Sequence, residues 1–174
     1  MNWKDLLADK IEHTYTVAEG LVSLVDDRSL AWKPSTGANW MTAGQLLHHL
    51  TDACGMSMRG FATGDWGLPA GMDINNIPPE QMLPPAEKLP AVKSVAEAKE
   101  LLAKDKATAL ETLAQVSEDR LANDMVRAPW NRQEQKLGWW LLYMTEHLNK
   151  HSSQLFYYLK LQGKPVGTGN LWGE

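Results

Sequence analysis

The sequence predicts an all-α protein, a four-helix bundle with a long proline-rich crossover between the second and third helices. Three observations predict it. Apolar residues recur at a three-four spacing in four separate stretches. Two of those stretches open on a capping-box pattern, Thr42 with Gln45 and Ser94 with Glu97. No strand-period alternation of any length occurs, and no internal repeat is visible. The chain of 174 residues reads as one domain, residues 1–174, long enough for a single sizeable core.

The first helix is marked by Leu6, Leu7, Ile11, Thr14, Ala18, Leu21, Val22 and Val25, which form one stripe, with Asn2 as its N-cap. Arg28 to Trp40 contains Pro34 and Gly37 and reads as a loop. The second helix starts at Thr42. Leu46, Leu47, Leu50, Ala53, Cys54, Met58 and Phe61 form its apolar arc, and Gly60 and Gly64 offer stops. Residues 65–93 carry six prolines, which break any regular element. They read as a surface crossover able to lean over a pocket.

The third helix begins at Ser94, with Val95, Ala98, Leu102, Ala109, Leu113 and Val116 facing inward. Ser117 to Trp130 reads as a polar connection. The fourth helix runs from about Glu134 to Gln162 and is stopped by Gly163 and Pro165. Its first half, Leu137 to Met144, is apolar all round, which predicts burial on more than one side, within the bundle or against a partner. A homodimer using the surface around Trp139, Trp140 and Leu141 is the expectation, and cover by segment 65–93 is the competing one.

Composition excludes several classes. A formal net charge of −4 argues against a broad electrostatic footprint for nucleic acid or an anionic membrane. The longest apolar run is too short to span a bilayer. Met1 to Lys10 alternates charged and apolar residues and does not read as a secretory signal. A single cysteine, Cys54, excludes an internal disulfide framework and a Cys-rich zinc module, and it fits a reducing, cytoplasmic compartment. As a lone Cys on an apolar face it reads as core.

The five histidines carry the strongest functional signal. His147 and His151 are four apart on the fourth helix, so their imidazoles project from one face, one turn apart. Two neutral imidazoles so placed can grip a divalent metal if a neighbouring helix brings a third ligand. The second helix has adjacent histidines. At 100° per residue His49 falls on the edge of the apolar arc, whereas His48 falls among Gln45, Asp52 and Arg59 on the polar side. His49 is therefore the third candidate, and His48 reads as solvated. His13 lies at the edge of the first helix's stripe and reads as a boundary residue, with a fourth-ligand role as the alternative. No H-E-x-x-H occurs, no E-x-x-H precedes any histidine, and P-loop, G-x-G-x-x-G and G-x-S-x-G patterns are absent.

The run from Trp40 to Leu50, followed by His147-x-x-x-His151-x-x-Gln154-Leu155, resembles the DinB/YfiT-like superfamily. The resemblance covers nearly the whole chain in helix order and includes the Gly163-Lys164-Pro165 exit. Ser153 departs from the pattern, since many members carry Gly before the Gln. The resemblance implies a four-helix bundle with a three-histidine metal site at His49, His147 and His151. The family includes thiol-dependent transferases and isomerases that use bacillithiol or mycothiol, together with members of no known activity. Resemblance therefore points to a site more firmly than to a reaction.

Three histidine ligands leave coordination positions open: one on tetrahedral zinc, two or three on nickel or iron, with manganese also compatible. An open position lowers the pKa of a bound thiol or water. The expected activity is a metal-dependent thiol transfer or isomerisation on a small molecule. The alternatives are metal-dependent hydrolysis and a non-catalytic, metal-binding or stress-related role. Asp52, Tyr143, Gln154 and Tyr158 share the expected metal face and are further candidates for binding or chemistry. Trp40 reads as a packing residue before the second helix, and Trp139 and Trp140 as core or interface anchors.

Overall fold

The computed structural model describes residues 2–174. Helix α1 (Trp3–Val22) begins where the Asn2 side chain accepts the Asp5 N–H, as its capping pattern predicts. Its inner stripe, Leu7, Ile11, Tyr15, Ala18 and Leu21, is buried. A 3₁₀ turn at Asp27–Ser29 leads to α2 (Ala43–Leu50). The capping box closes it as expected: Thr42 Oγ1 accepts the Gln45 N–H, and Gln45 Oε1 accepts the Thr42 N–H at 2.8 Å.

The second helix differs from expectation. It does not run unbroken to Phe61 but stops at Leu50 and restarts as α3 (Gly55–Thr63). The side chain of Thr51 donates to the His48 carbonyl and closes α2. The first N–H groups of α3, from Gly55 and Met56, go to the carboxylate of Asp105 across the core. Side-chain acceptors thus replace the helical ones at the break. Gly64, with φ of 80°, ends α3 in the left-handed conformation.

The crossover 65–93 is less irregular than its prolines suggest. It holds a 3₁₀ turn at Ile74–Asn76, a single helical turn α4 (Pro79–Met82) and a further 3₁₀ turn at Ala86–Lys88. It is pinned to the start of α2, where Gln45 Nε2 donates to the carbonyls of Glu87 and Leu89, and Val92 N–H donates to Gly44. Trp66 packs on Gly60, where a Cβ would overlap the indole.

Helix α5 (Val95–Gln115) is capped by Ser94, which accepts the Glu97 N–H. Only half of the expected box forms, because the Glu97 carboxylate turns to the Lys93 N–H instead. The polar connection contains α6 (Glu118–Asn123), capped by Ser117. It also contains strand β1 (Met125–Arg127), which pairs antiparallel with β2 (Glu134–Lys136), Val126 opposite Gln135. Three residues per strand are too few to show an alternation in sequence. The ribbon takes residues 134–136, so α7 (Leu137–Leu161) starts three residues later than predicted. Gly163, with φ of 74°, stops it as expected. The tail forms α8 (Thr168–Trp172), which packs on α1 and α7.

Helix α1 packs on both α5 and α7, and α2 and α3, which pack on the same two helices, together take the place of the fourth. This is the all-α bundle expected, with a small two-stranded ribbon added. Cys54 lies in the core, fully buried, as read from its apolar face.

Candidate metal centre

His49 sits on the last turn of α2, and His147 and His151 on successive turns of α7. Packing of α2 against α7 brings their rings together edge-on. The three Nε2 atoms form a triangle with sides of 3.3 Å (His49–His147), 3.1 Å (His49–His151) and 3.0 Å (His147–His151). Nitrogens held about 2.1 Å from one ion lie about 3.0 Å apart at right angles and about 3.4 Å apart at the tetrahedral angle. The triangle falls within that range, so the three residues could hold one ion.

The opposite ring nitrogens decide the protonation. His147 Nδ1 lies 3.0 Å from the carbonyl of Ala53, which can only accept, so this nitrogen carries the hydrogen. His151 Nδ1 lies 2.9 Å from Gln154 Oε1. The orientation of that amide is set one step further out. The Tyr158 hydroxyl donates to the Met41 carbonyl at 2.9 Å, so its oxygen is free to accept from Gln154 Nε2, 3.5 Å away. Gln154 therefore turns its oxygen to His151, which must donate. His49 Nδ1 faces Asp52 Oδ1 at 3.5 Å. Each Nδ1 thus faces an acceptor, and three Nε2 lone pairs converge on one point.

Burial holds the α7 pair neutral. It pushes the His147 pKa below the ordinary histidine value, with the Ala53 hydrogen bond opposing the effect and the neighbouring His49 adding to it. The same desolvation, aided by His49, takes His151 down to about 4. Neutral imidazole is the form that ligates metal.

The expected histidine trio is brought together, and of the adjacent pair it is His49 that turns toward it. The contrast is one of orientation rather than burial: the side chains of His48 and His49 are 30% and 24% exposed, yet only His49 reaches the triangle. His48 faces Asp52 instead. His13 is exposed on α1 beside the C-terminal turn at Gly173 and does not join the cluster. Among the described residues no fourth His, Cys, Asp or Glu completes the group.

The four additional candidates divide. Asp52 and Gln154 face imidazole Nδ1 atoms. Tyr158 is buried behind Gln154 and packs edge-on against Trp32 and Trp40, which bears out the packing role read for Trp40. Tyr143 is not at the centre: its ring stacks on Trp139 and lies under the Lys150 ammonium. Sequence reasoning missed the Ala53 carbonyl and the buried Asp105. The first has no side-chain signal. The second had one, a carboxylate on the inward stripe of α5 between Leu102 and Ala109.

Comparison with known proteins agrees with this architecture. No curated protein and no solved structure matches the chain. The family model described as the DinB superfamily matches residues 10–155. That span runs from α1 through most of α7 and includes all three clustered histidines, so the chain belongs to the DinB superfamily.

Proposed function

We propose that the protein binds one divalent metal ion through His49, His147 and His151 and uses it to activate a low-molecular-weight thiol for transfer to a small electrophile, or for a thiol-assisted isomerisation. The observation that carries the reading is the convergence of three Nε2 lone pairs whose Nδ1 atoms face acceptors. Three such lone pairs about 3 Å apart repel one another unless a cation lies among them. Zinc or nickel suits an all-imidazole set best, with iron and manganese as further occupants. When bound, the ion supplies positive charge that favours thiolate over thiol.

The chain's own groups do the rest. Ala53, Gln154 and Asp52 hold the imidazoles at the angle the triangle requires. Tyr158 fixes the Gln154 amide from behind. Cys54 does not supply the nucleophile, because burial pushes its thiol up to about 12. The reacting thiol must therefore come from a small molecule such as bacillithiol, mycothiol or glutathione. A cytoplasmic setting, where such thiols are kept reduced, belongs to the same proposal. So does a twofold dimer through the uncovered surface near Trp139. Among the described residues no helix is long and apolar enough to cross a membrane.

The test compares native protein with His147→Ala and His48→Ala. Metal content after purification without added metal should fall at least tenfold in His147→Ala and stay at the native level in His48→Ala. Each protein is then given the three thiols with model electrophiles and, separately, ester and amide substrates. Thiol consumption that depends on His147 supports the proposal. Metal-dependent ester or amide cleavage without thiol consumption replaces it with hydrolysis, and metal binding with no turnover replaces it with a binding role.

A further inference from the structure

Asp105 lies in the middle of the inner face of α5 and is 5% exposed. Both of its oxygens are used. Oδ2 accepts from the Tyr15 hydroxyl at 2.6 Å and the Gly55 N–H at 2.9 Å, and Oδ1 accepts from the Met56 N–H at 2.8 Å. Burial pushes the carboxyl's pKa up, and these three donors draw it back. Its partners are Tyr15, Gly55 and Met56, and none of these hydrogen bonds is to one of the histidines.

Its effect on them passes through the break between α2 and α3. In an unbroken helix the N–H groups of Gly55 and Met56 would bond to the carbonyls of Thr51 and Asp52, and the Ala53 carbonyl would accept from Ser57. The Asp105 carboxylate takes the first two donors itself. Gly55 permits the approach, since a Cβ there would overlap the backbone and carboxylate of Asp105. The turn at 51–54 is then held between two fixed points, Thr51 on the His48 carbonyl and α3 on Asp105. Two of its residues face the centre: the Ala53 carbonyl toward His147 Nδ1, and Asp52 toward His49 Nδ1. His151 takes its partner, Gln154, from its own helix.

We propose that Asp105 is a positioning residue of the three-histidine centre, holding the start of α3 so that the Ala53 carbonyl fixes the tautomer and orientation of His147. The metal arm of the test rests on the ligand reading above, and the tautomer arm does not.

Long-range proton–nitrogen spectra of the imidazoles, recorded on metal-free protein, read the tautomer directly. Wild type should show His147 and His151 both protonated at Nδ1. Asp105→Asn offers one acceptor oxygen where two were used and turns an NH2 group toward a helix N–H. His147 should then become a mixture of tautomers while His151 stays unchanged. Cobalt(II) affinity, measured by titration, should fall about 10- to 100-fold. Tyr15→Phe should move both readouts the same way by less. Leu113→Ala, a core truncation about two turns along α5, controls for general destabilisation and should move neither. A folded Asp105→Asn protein with the wild-type His147 signal overturns the proposal. If that variant does not fold, Tyr15→Phe with unchanged His147 signal and unchanged cobalt affinity overturns it. Failure of wild type to bind cobalt removes the metal reading, and the His147 signal still decides the role of Asp105.

Discussion

The two halves of α7 are built on different physics. From Leu137 to Met144 the contacts are aromatic and aliphatic. Trp140 stacks on Phe61 at 4.5 Å, with Trp66 and Trp130 edge-on around the Phe61 ring, and Trp139 stacks on Tyr143. From Thr145 onward Leu148, Leu155 and Leu159 still pack in the core, but the contacts around the centre are single polar atoms: Ala53 O on His147, Gln154 Oε1 on His151, Met41 O on Tyr158. In the first half the cost of a change should scale with the area it uncovers. At the polar contacts of the second it should depend on whether one donor or acceptor is lost, with little regard to size.

The largest expected effect breaks the aromatic half. Trp140 is 1% exposed, and its indole N–H donates to the Val126 carbonyl. Trp140→Ala should cost about 3–5 kcal/mol of stability. Trp139→Ala, from an indole 38% exposed, should cost less than about 1 kcal/mol. Denaturant titration of the two neighbours measures the contrast, and equal losses would mean that burial does not govern this half.

Metal removal probes the other half. The core spans α1, α2, α3, α5 and α7 without the histidines, so the fold should persist when the ion is taken away. An ion bound only to the native state at a hundredfold excess over Kd adds about 2.7 kcal/mol. EDTA should therefore lower the melting temperature by about 5–10 °C and leave the helical circular dichroism at 25 °C intact. Loss of that signal would make the ion a folding requirement.

The metal-free protein should also show a pH dependence that the aromatic half lacks. His151 titrates near 6.5 when unfolded and near 4 when folded, because burial disfavours its charged form. As pH falls the unfolded chain takes up the proton first. Stability is full above about 6.5 and is lost progressively down to about 4, by about 1–3 kcal/mol after allowance for partial exposure. His147 shifts in the same direction. Trp140→Ala should lower this curve without altering its slope, whereas His151→Ala should flatten it. An unchanged slope in His151→Ala would assign the dependence elsewhere.

The same contrast explains what could be read from the chain. Helix positions, the inward choice of His49 and the pairing of His147 with His151 follow from a period of 3.6, which a sequence displays directly. The break at 51–54 does not, because Ala53, Cys54 and Met58 continue the helical apolar pattern through it. What breaks the helix is a long-range acceptor, Asp105, fifty residues after Gly55. A tertiary hydrogen bond overrides local periodicity there, and the turn it holds carries the backbone carbonyl that orients His147. Strands of three residues escape detection for a different reason: their pairing is fixed by the partner strand.

The smallest expected effect on the fold, and the sharpest on association, concerns the side of α7 that remains uncovered. Through Trp66 the crossover reaches the Phe61 ring that stacks on Trp140, but Trp139 and Leu142 stay exposed. These two line a groove of about 370 Å³ together with Trp3, Leu6 and Leu121, and Lys10 and Lys136 also border it. Trp3, Leu6, Trp139 and Leu142 are between 38% and 70% exposed, an apolar patch of the kind that marks an interaction surface. In the twofold dimer proposed above, the same groove on each copy would cover the other. Leu142→Glu places a charge in that surface without emptying any core position, so stability should change by less than about 0.5 kcal/mol. Light scattering at high protein concentration should give twice 19.4 kDa for wild type and 19.4 kDa for the variant, with metal content equal in both. A wild type that stays at 19.4 kDa would mean the groove serves the single chain, and Leu142→Glu would then leave every measurement where it was.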